Sequence, residues 1–289
     1  MTLYRKFTSE EQINLEYNAV LAVPDLHRYV DQDIEASRFV KSEFDCHLDQ
    51  AYGAGSDETI DIFPAKDPDS PILFFIHGGY WRSLSSQDFS FVARGLVESG
   101  VTVAMPNYSL CPEVSMTKIT EQNRAALAWL YLHAEKYNGS RDRIFVSGHS
   151  AGGQQAAMLS LTDWASDFDL PGNVIKGSMP ISGIFDLSPL YHSWLQPSLK
   201  LTDATILSQS PMLQLPKQAP PMLVSVGGDE SAEFVRQSTD FVSAWRNNAV
   251  PGILNTLDGK NHFSVIQDLY VKDSPLCKSI IEFMQQCES

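Results

Sequence analysis

The pentapeptide Gly148-His149-Ser150-Ala151-Gly152 directly follows the β-branched and aromatic run Ile144-Phe145-Val146. A small-residue stretch over 154–161 comes next and favours a helix. Glycines on both sides of the serine allow a sharp turn between strand and helix, which exposes the hydroxyl at its apex. The first amides of the helix point toward any negative charge that forms there. Ser150 is therefore predicted to be a nucleophile for acyl transfer, with the Ala151 amide as one oxyanion donor.

A serine nucleophile needs a base, and His262 is the histidine best placed for that role. It lies in the loop after the last predicted strand, 253–257. In a parallel sheet such loops meet at the carboxyl edge, where Ser150 also lies. His149, inside the turn, is expected to pack against the sheet. His192, in a later loop, is a candidate substrate contact, with an ordinary surface position as the alternative.

The group that orients the base is either Asp229 or Glu230, since both follow the predicted strand 222–226. Adjacent side chains that leave a strand point in different directions, so only one of the two can reach His262. Strand position favours Asp229, which stands at a G-x-D position after the strand. The chain order serine, acid, histidine suits a triad built on strand ends.

A second half of the site is predicted from His77-Gly78-Gly79, which follows the apolar strand 72–76. Two successive glycines let backbone N–H groups approach a reacting oxygen without hindrance from side chains. We expect the amides of Gly78 and Gly79 to complete the oxyanion hole with that of Ala151. Tyr80 and Trp81 come next, and their rings could stack on an aryl substrate or belong to the core.

Strands alternate with helices along the chain, which predicts an α/β fold with a mostly parallel, doubly wound sheet and helices on both faces. The run 72–76 suits a strand covered on both sides, whereas 59–63 alternates and predicts a half-exposed strand. Residues 1–289 contain no linker or repeat and are interpreted as a single domain. The loop-rich stretch 182–221 is expected to lie over the strand ends as a lid-like insertion. The polar, helical residues 1–43 either cover the site or cap the sheet.

Composition narrows the class of protein. The chain has a formal net charge of −14 and no basic cluster, which argues against nucleic acid or an anionic membrane as a partner. Its cysteines are scattered without zinc-like spacing, and no apolar run suits a signal peptide or reaches the ~18 residues that span a bilayer. We expect a cytoplasmic enzyme with a small-molecule substrate, no metal and no cofactor. The oligomeric state stays open, with a homodimer among the options.

Motifs along nearly the whole chain resemble one branch of a known family. They are Tyr17-Asn18, Val23-Pro24-Asp25, His77-Gly78-Gly79-Tyr80-Trp81, the stretch 107–113, Gly148 to Gly153, the stretch 182–187 and the stretch 230–238. With them the chain resembles the kynurenine formamidase (arylformamidase) branch of the α/β-hydrolase serine esterases. The resemblance implies the α/β-hydrolase fold. It also favours Glu230, directly before Ser-x-Glu-Phe, as the orienting acid.

The resemblance further implies a reaction. A serine hydrolase of this branch removes a small acyl group, formyl, from an aryl amide through an acyl-enzyme intermediate, and N-formyl-L-kynurenine is the candidate substrate. A broad-specificity short-chain carboxylesterase, or a carbamate or amide hydrolase, would use the same residues and is the alternative. An inactive binding module is disfavoured, because a serine, an acid and a histidine are all present. One departure from the branch is Asn261, which precedes His262 where an aspartate is common.

Overall fold

The computed structural model describes residues 2–215 and 218–288. Over these residues eight strands form one sheet. The strands are β1 (His47–Ala51), β2 (Thr59–Phe63), β3 (Ser70–Ile76), β4 (Thr102–Pro106), β5 (Gly139–His149), β6 (Ile175–Ile181), β7 (Met222–Gly227) and β8 (Gly252–Leu257). They lie in the order β1-β2-β4-β3-β5-β6-β7-β8, and β2 is antiparallel to both of its neighbours while the other pairs are parallel. The predicted mostly parallel, doubly wound sheet is confirmed.

Helices connect these strands and flank the sheet. The α-helices of the described residues are α1 (Glu10–Tyr17), α2 (Leu26–Glu43), α3 (Ala93–Val97), α4 (Met116–His133), α5 (Ala151–Ser160), α6 (Trp164–Phe168), α7 (Gln196–Leu199), α8 (Asp203–Gln209), α9 (Ala232–Asn247), α10 (Ser264–Gln267) and α11 (Pro275–Glu288). Short 3₁₀ turns cover Ala19–Ala22, Ser86–Val92, Ala134–Tyr137, Ser188–His192, Pro211–Leu213 and Asp268–Tyr270.

The central strand β3 shows why helices cover both faces of the sheet. Ile72, Phe74 and Ile76 belong to a core shared with α4 and α5. Leu73 and Phe75 point the other way, into a core shared with α3 and α11. All five side chains are fully buried, as expected for an apolar run without alternation. The end of β3 therefore lies in the middle of the molecule, where it delivers the glycine loop.

The strand predicted over 59–63 is present as β2, but the prediction that it is half-exposed is wrong. Its outer edge pairs with β1, a polar strand that the sequence pattern did not indicate. The Asp61 carboxylate is buried and accepts hydrogen bonds from the Asp49 N–H (2.8 Å) and the Ser86 hydroxyl (2.7 Å). Burial raises the pKa of Asp61. The apolar–polar alternation of 59–63 therefore does not mark an exposed face, because the polar Asp61 is buried with its hydrogen-bond partners.

The stretch 182–221 is irregular and carries α7, α8 and two 3₁₀ turns. Its residues 216 and 217 lie outside the described residues. Leu187, Leu190 and Leu195 are fully buried in the same core as α4 and α5. This part of the stretch is therefore an integral layer of the fold rather than a loop on its surface.

Candidate active site

Ser150 lies at the turn between β5 and α5, with φ 58° and ψ −117°. A non-glycine residue with such angles is strained and persists only where its surroundings hold it. The Ser150 N–H donates to the carbonyl of Ile181 (2.9 Å) at the end of β6. A Cβ added at Gly152 would lie 2.0 Å from the carbonyl oxygen of Ile76, so glycine is needed for α5 to begin this close to the end of β3. The structure therefore contains the predicted strand, turn and helix.

The Glu230 carboxylate holds His262. Its Oε2 lies 2.6 Å from His262 Nδ1, while its Oε1 accepts hydrogen bonds from the Ser182 hydroxyl (2.5 Å) and the Gly227 N–H (2.8 Å). The Glu230 side chain is completely buried and that of His262 is 7% exposed. Because a carboxylate accepts, Nδ1 donates its hydrogen to Glu230, and Nε2 on the other side of the ring is the nitrogen left to act as a base. This arrangement fits an acid that orients a catalytic histidine.

Asp229 does not take this position. It is exposed, and it contacts the histidine loop through its backbone, where its N–H donates to the carbonyl of Lys260 (2.9 Å). The chain turns directly after β7, so the next side chain, Glu230, points inward instead. The structure thus corrects the argument from strand position and agrees with the residue that the family resemblance favoured.

His149 has a contact that sequence reasoning missed. Its Nε2 donates to the backbone carbonyl of His262 (2.9 Å), and the two ring centroids are 4.6 Å apart. Burial, followed by the nearby His262, lowers the pKa of His149 well below its usual value, so the ring is neutral. His149 therefore ties the nucleophile turn to the histidine loop. Its place beside Ser150 in the pentapeptide was the available signal.

The glycine loop after β3 lies against the nucleophile turn. A Cβ added at Gly78 would lie 3.4 Å from the Ser150 Cβ and 3.0 Å from the His149 carbonyl oxygen. Gly79 has φ +111°, a conformation that side-chain-bearing residues rarely adopt. Ala151 is the first residue of α5, and amides of a first helical turn have no partner within the helix. The structure thus places Gly78 against Ser150, with Gly79 next to it in the loop and Ala151 at the start of α5.

His77, at the start of this loop, supports it through a hydrogen bond and a stacked ring. Its Nδ1 donates to the carbonyl of Gly78 (2.8 Å), and its ring stacks on Tyr108 at 4.1 Å between centroids. The Tyr108 hydroxyl in turn donates to the His77 carbonyl (2.9 Å). Burial lowers the pKa of His77 to about 4, so the ring is neutral near pH 7.

Trp81 was predicted to contact substrate or to pack in the core, and the structure shows packing. Its side chain is fully buried, and its Nε1–H donates to Gln154 Oε1 (3.0 Å) on α5. Tyr80 is partly buried. Its hydroxyl donates to the carbonyl of Tyr17, and its ring meets that of Trp194 edge-on at 5.5 Å. Both rings therefore pack between the loop and its neighbours, Tyr80 on the side of α1 and Trp81 on the side of α5.

His192 lies elsewhere. Its ring packs edge-on against Tyr191 at 5.1 Å. It borders a separate surface depression of about 400 Å³, which Leu3, Tyr4 and residues of the 182–221 stretch also line. The structure does not bring His192 to Ser150, so the prediction of a substrate contact is not supported.

The N-terminal helix covers the site, an alternative that the sequence had left open. The buried Tyr17 hydroxyl donates to Glu233 Oε2 (2.8 Å) and accepts from Gln237 Nε2 (2.8 Å), both on α9. The Ser231 hydroxyl donates to the carbonyl of Glu16 (2.6 Å). Because α9 begins just after Glu230, the cover is attached directly beside the acid. The Tyr17-Asn18 motif was the only indication of this contact in the sequence.

The residues after α1 close the space around His262. Ala19, Ala22 and Val23 line a cavity of about 10 Å³ together with side chains that include Phe234, Glu230 and His262. A cavity of this size holds about one water molecule. The acid–histidine pair is therefore shielded from bulk solvent by the N-terminal segment.

Neither a metal cluster nor a membrane helix accompanies this site. Over 2–215 and 218–288, no group of three or more His, Cys, Asp or Glu side chains is arranged to hold a metal ion. No helix in the same residues is long and apolar enough to cross a bilayer.

Comparisons with known proteins identify the family to which the chain belongs. The sequence matches the BD-FAE family over residues 60–245. The kynurenine formamidase of Salmo salar is 30% identical over 245 residues, which cover 82% of this chain and 81% of that protein. The kynurenine formamidase of Danio rerio is 29% identical over 244 residues, with the same two coverages.

Among solved structures, a candidate thioesterase from a Silicibacter species is 28% identical and has a TM-score of 0.82, covering 93% of this chain and 99% of that one. A carboxylesterase from a metagenomic library has a TM-score of 0.67 at 19% identity and covers 92% of this chain and 96% of that one, which is a likeness of fold. The chain therefore belongs to the BD-FAE family and is a hydrolase of the kynurenine formamidase-like branch of the α/β-hydrolases.

Proposed function

We propose that this hydrolase removes a formyl group from an aryl amide, with N-formyl-L-kynurenine as the candidate substrate. The observation that carries the serine mechanism is the 2.6 Å contact of Glu230 with His262, beside the strained turn at Ser150. The names of the relatives from Salmo salar and Danio rerio support the choice of substrate.

In the first half of the reaction, the Ser150 Oγ attacks the formyl carbon while its proton passes to His262 Nε2. The carbonyl oxygen becomes an oxyanion facing the amides of Gly79, Gly78 and Ala151, and Glu230 balances the charge of the imidazolium. The C–N bond then breaks as His262 returns the proton to the arylamine nitrogen. The arylamine leaves and a formyl ester remains on Ser150.

In the second half, a water molecule takes the place of the amine. His262 accepts a proton from this water as its oxygen attacks the formyl carbon. The same amides hold the second oxyanion. Collapse of the intermediate breaks the bond to Ser150, whose oxygen recovers the proton from His262, and formate leaves.

The burial of the nucleophile supports a small acyl group. Ser150 is only 3% exposed, and the neighbouring Ala151 is fully buried. Attraction in an apolar pocket discriminates by only ~1–3 kcal/mol per methylene. Rejection of long acyl chains would therefore come from steric exclusion by the residues packed around Ser150.

A short-chain carboxylesterase, or a carbamate or amide hydrolase, is the second candidate function. The triad and the oxyanion amides treat an ester and an amide carbonyl alike. The likeness to a candidate thioesterase at 28% identity over nearly the full length favours this alternative. The two functions differ in the acyl groups and leaving groups they accept.

Steady-state kinetics separates the two candidates. We expect kcat/KM to be high for N-formylkynurenine and to fall steeply along p-nitrophenyl acetate, butyrate and hexanoate. Aryl leaving groups should be preferred over alkyl ones, and a Ser150→Ala sample corrects for spontaneous hydrolysis. A flat or rising profile with acyl length, or no turnover of N-formylkynurenine, would assign the general esterase function instead.

A further inference from the structure

Three successive residues of the glycine loop have left-handed backbone angles. Gly79 has φ +111°, Tyr80 φ 50° and Trp81 φ 56°. Such angles are unfavourable for residues with a Cβ and persist only where the surrounding structure holds them. The strain lies directly beside the amides proposed to bind the oxyanion, so contacts that maintain it have a bearing on catalysis.

The Tyr80 side chain is held by the N-terminal helix. Its hydroxyl donates to the backbone carbonyl of Tyr17, at the end of α1. Tyr17 is itself fixed by Glu233 and Gln237 through its own hydroxyl, at 2.8 Å each. Trp194 supports the ring of Tyr80 from the side. The loop is thus connected through α1 to α9, the helix that begins just after the acid.

Trp81 is held by the nucleophile helix. Its Nε1–H donates to Gln154 Oε1 (3.0 Å), one turn after Ser150, and its carbonyl accepts from the Cys111 N–H (2.8 Å). The Gln154 amide donates onward to the carbonyl of Gln209 (2.7 Å). Gln154 and Gln209 are both buried, so these hydrogen bonds form away from solvent, where an unmade one is costly.

We propose that Tyr80 and Trp81 are positioning residues, which hold the left-handed loop so that the amides of Gly78 and Gly79 face the oxyanion at Ser150. The proposal rests on the serine mechanism proposed above, and it differs from both roles that the sequence left open for these rings, substrate stacking and core packing. Each side chain fixes the loop through one hydrogen bond, Tyr80 to α1 and Trp81 to α5. A loop without them would relax toward ordinary backbone angles and move its amides.

Such movement would affect the transition state more than substrate binding. Oxyanion donors act at 2.7–3.1 Å from the charged oxygen, and a misplacement of ~1 Å can cost about 100-fold in rate. The ground-state carbonyl gains much less from the same amides. Loss of either side-chain hydrogen bond should therefore lower kcat and leave KM nearly unchanged.

The test uses Tyr80→Phe and Trp81→Phe, since each keeps a ring and removes one donor. With p-nitrophenyl acetate we expect kcat to fall about tenfold in each variant and KM to change less than twofold, a partial loss of oxyanion stabilisation. The rate constant for inactivation by a p-nitrophenyl phosphonate, whose phosphoryl oxygen takes the oxyanion position, should fall by the same factor. Tyr191→Phe, at an exposed tyrosine outside the site, is the matched control and should match wild type.

The opposite pattern would overturn the proposal. If KM for aryl esters rose while kcat and the phosphonate rate stayed constant, the two rings would be substrate contacts. Should Trp81→Phe fail to fold, Gln154→Met removes the same hydrogen bond from the other partner and must lower kcat and the phosphonate rate together. Wild-type protein that neither turns over the ester nor reacts with the phosphonate would contradict the serine mechanism itself. Unchanged kinetics of the variants beside an active wild type would reject only the positioning role.

Discussion

The two halves of the site are held in place in different ways. Ser150, Glu230 and His262 lie on short turns at the ends of strands, and the nearest hydrogen bonds come from neighbouring strand ends such as Gly227 and Ser182. The oxyanion loop follows a single strand, β3, and relies on residues far away in sequence. Its contacts reach 63 positions back to Tyr17 and 73 positions forward to Gln154. The sheet positions the first half, whereas packing positions the second.

This difference separates the consequences of substitution. In the proposed mechanism, a single side chain of the triad half carries each chemical role, so its loss removes a step of the reaction. In the oxyanion half of the same mechanism, backbone amides carry the role and side chains hold the loop that presents them. Substitutions there should reduce the rate in a graded way, and the predictions that follow go from the triad outward.

Ser150→Ala should have the largest effect. We expect kcat to fall by at least about 10⁴-fold for every substrate, since only binding and the oxyanion amides remain. The far-ultraviolet circular dichroism spectrum should be unchanged, because the helix and strand around the turn stay intact. A fluorophosphonate probe should label Ser150 in wild type, located by peptide mass spectrometry. Labelling at another serine would contradict the assignment of Ser150 as the nucleophile and with it the division of the site into these two halves.

Glu230→Gln should come second, with a loss of about 10³–10⁴-fold in kcat, because an amide no longer stabilises the imidazolium or its Nδ1–H tautomer. Asp229→Asn is the matched control, since that residue is adjacent, exposed and without a side-chain contact to His262. We expect it to change kcat less than twofold. Comparable losses in the two variants would mean that the acid acts from another position.

The smallest expected effect is on the pH dependence of stability, and it comes from His77, which supports the glycine loop of the oxyanion half. His77 has a pKa of about 4 in the folded protein against 6.5 as its ordinary value. The unfolded chain therefore binds a proton that the folded chain excludes, and the free energy of unfolding falls as the pH drops from about 6.5 to about 4. The full loss over this pH range amounts to about 3 kcal/mol.

Urea unfolding at pH 7.5, 6 and 5 measures this dependence. His77→Gln removes the titrating ring and should flatten the slope relative to wild type, while other groups contribute equally to both proteins. His149, which burial also keeps neutral, should account for part of the slope that remains. Identical slopes in wild type and His77→Gln would show that the pKa of His77 is not lowered in the folded protein, which would contradict this prediction.

The strand, turn and helix around Ser150 could be predicted from the sequence because each part is local. The strand before Ser150, the glycines beside it and the helix after it lie within one short stretch, and parallel strands bring their carboxyl ends to one edge. The choice between Asp229 and Glu230 was harder. It depends on one turn of backbone after β7, and strand register by itself pointed to the wrong residue.

The sequence by itself determined the fold class, the sharp turn at Ser150 and the glycine loop after β3, since periodicity and glycine spacing encode them along the chain. Tertiary structure alone decided that α1 covers the acid–histidine pair and that His149 contacts His262. It also decided that the Tyr80 hydroxyl reaches Tyr17 and that the Trp81 ring packs against Gln154. The physical reason is sequence distance. A hydrogen bond between Tyr80 and Tyr17 depends on how two separate segments pack against the sheet, and no local pattern in either segment specifies that packing.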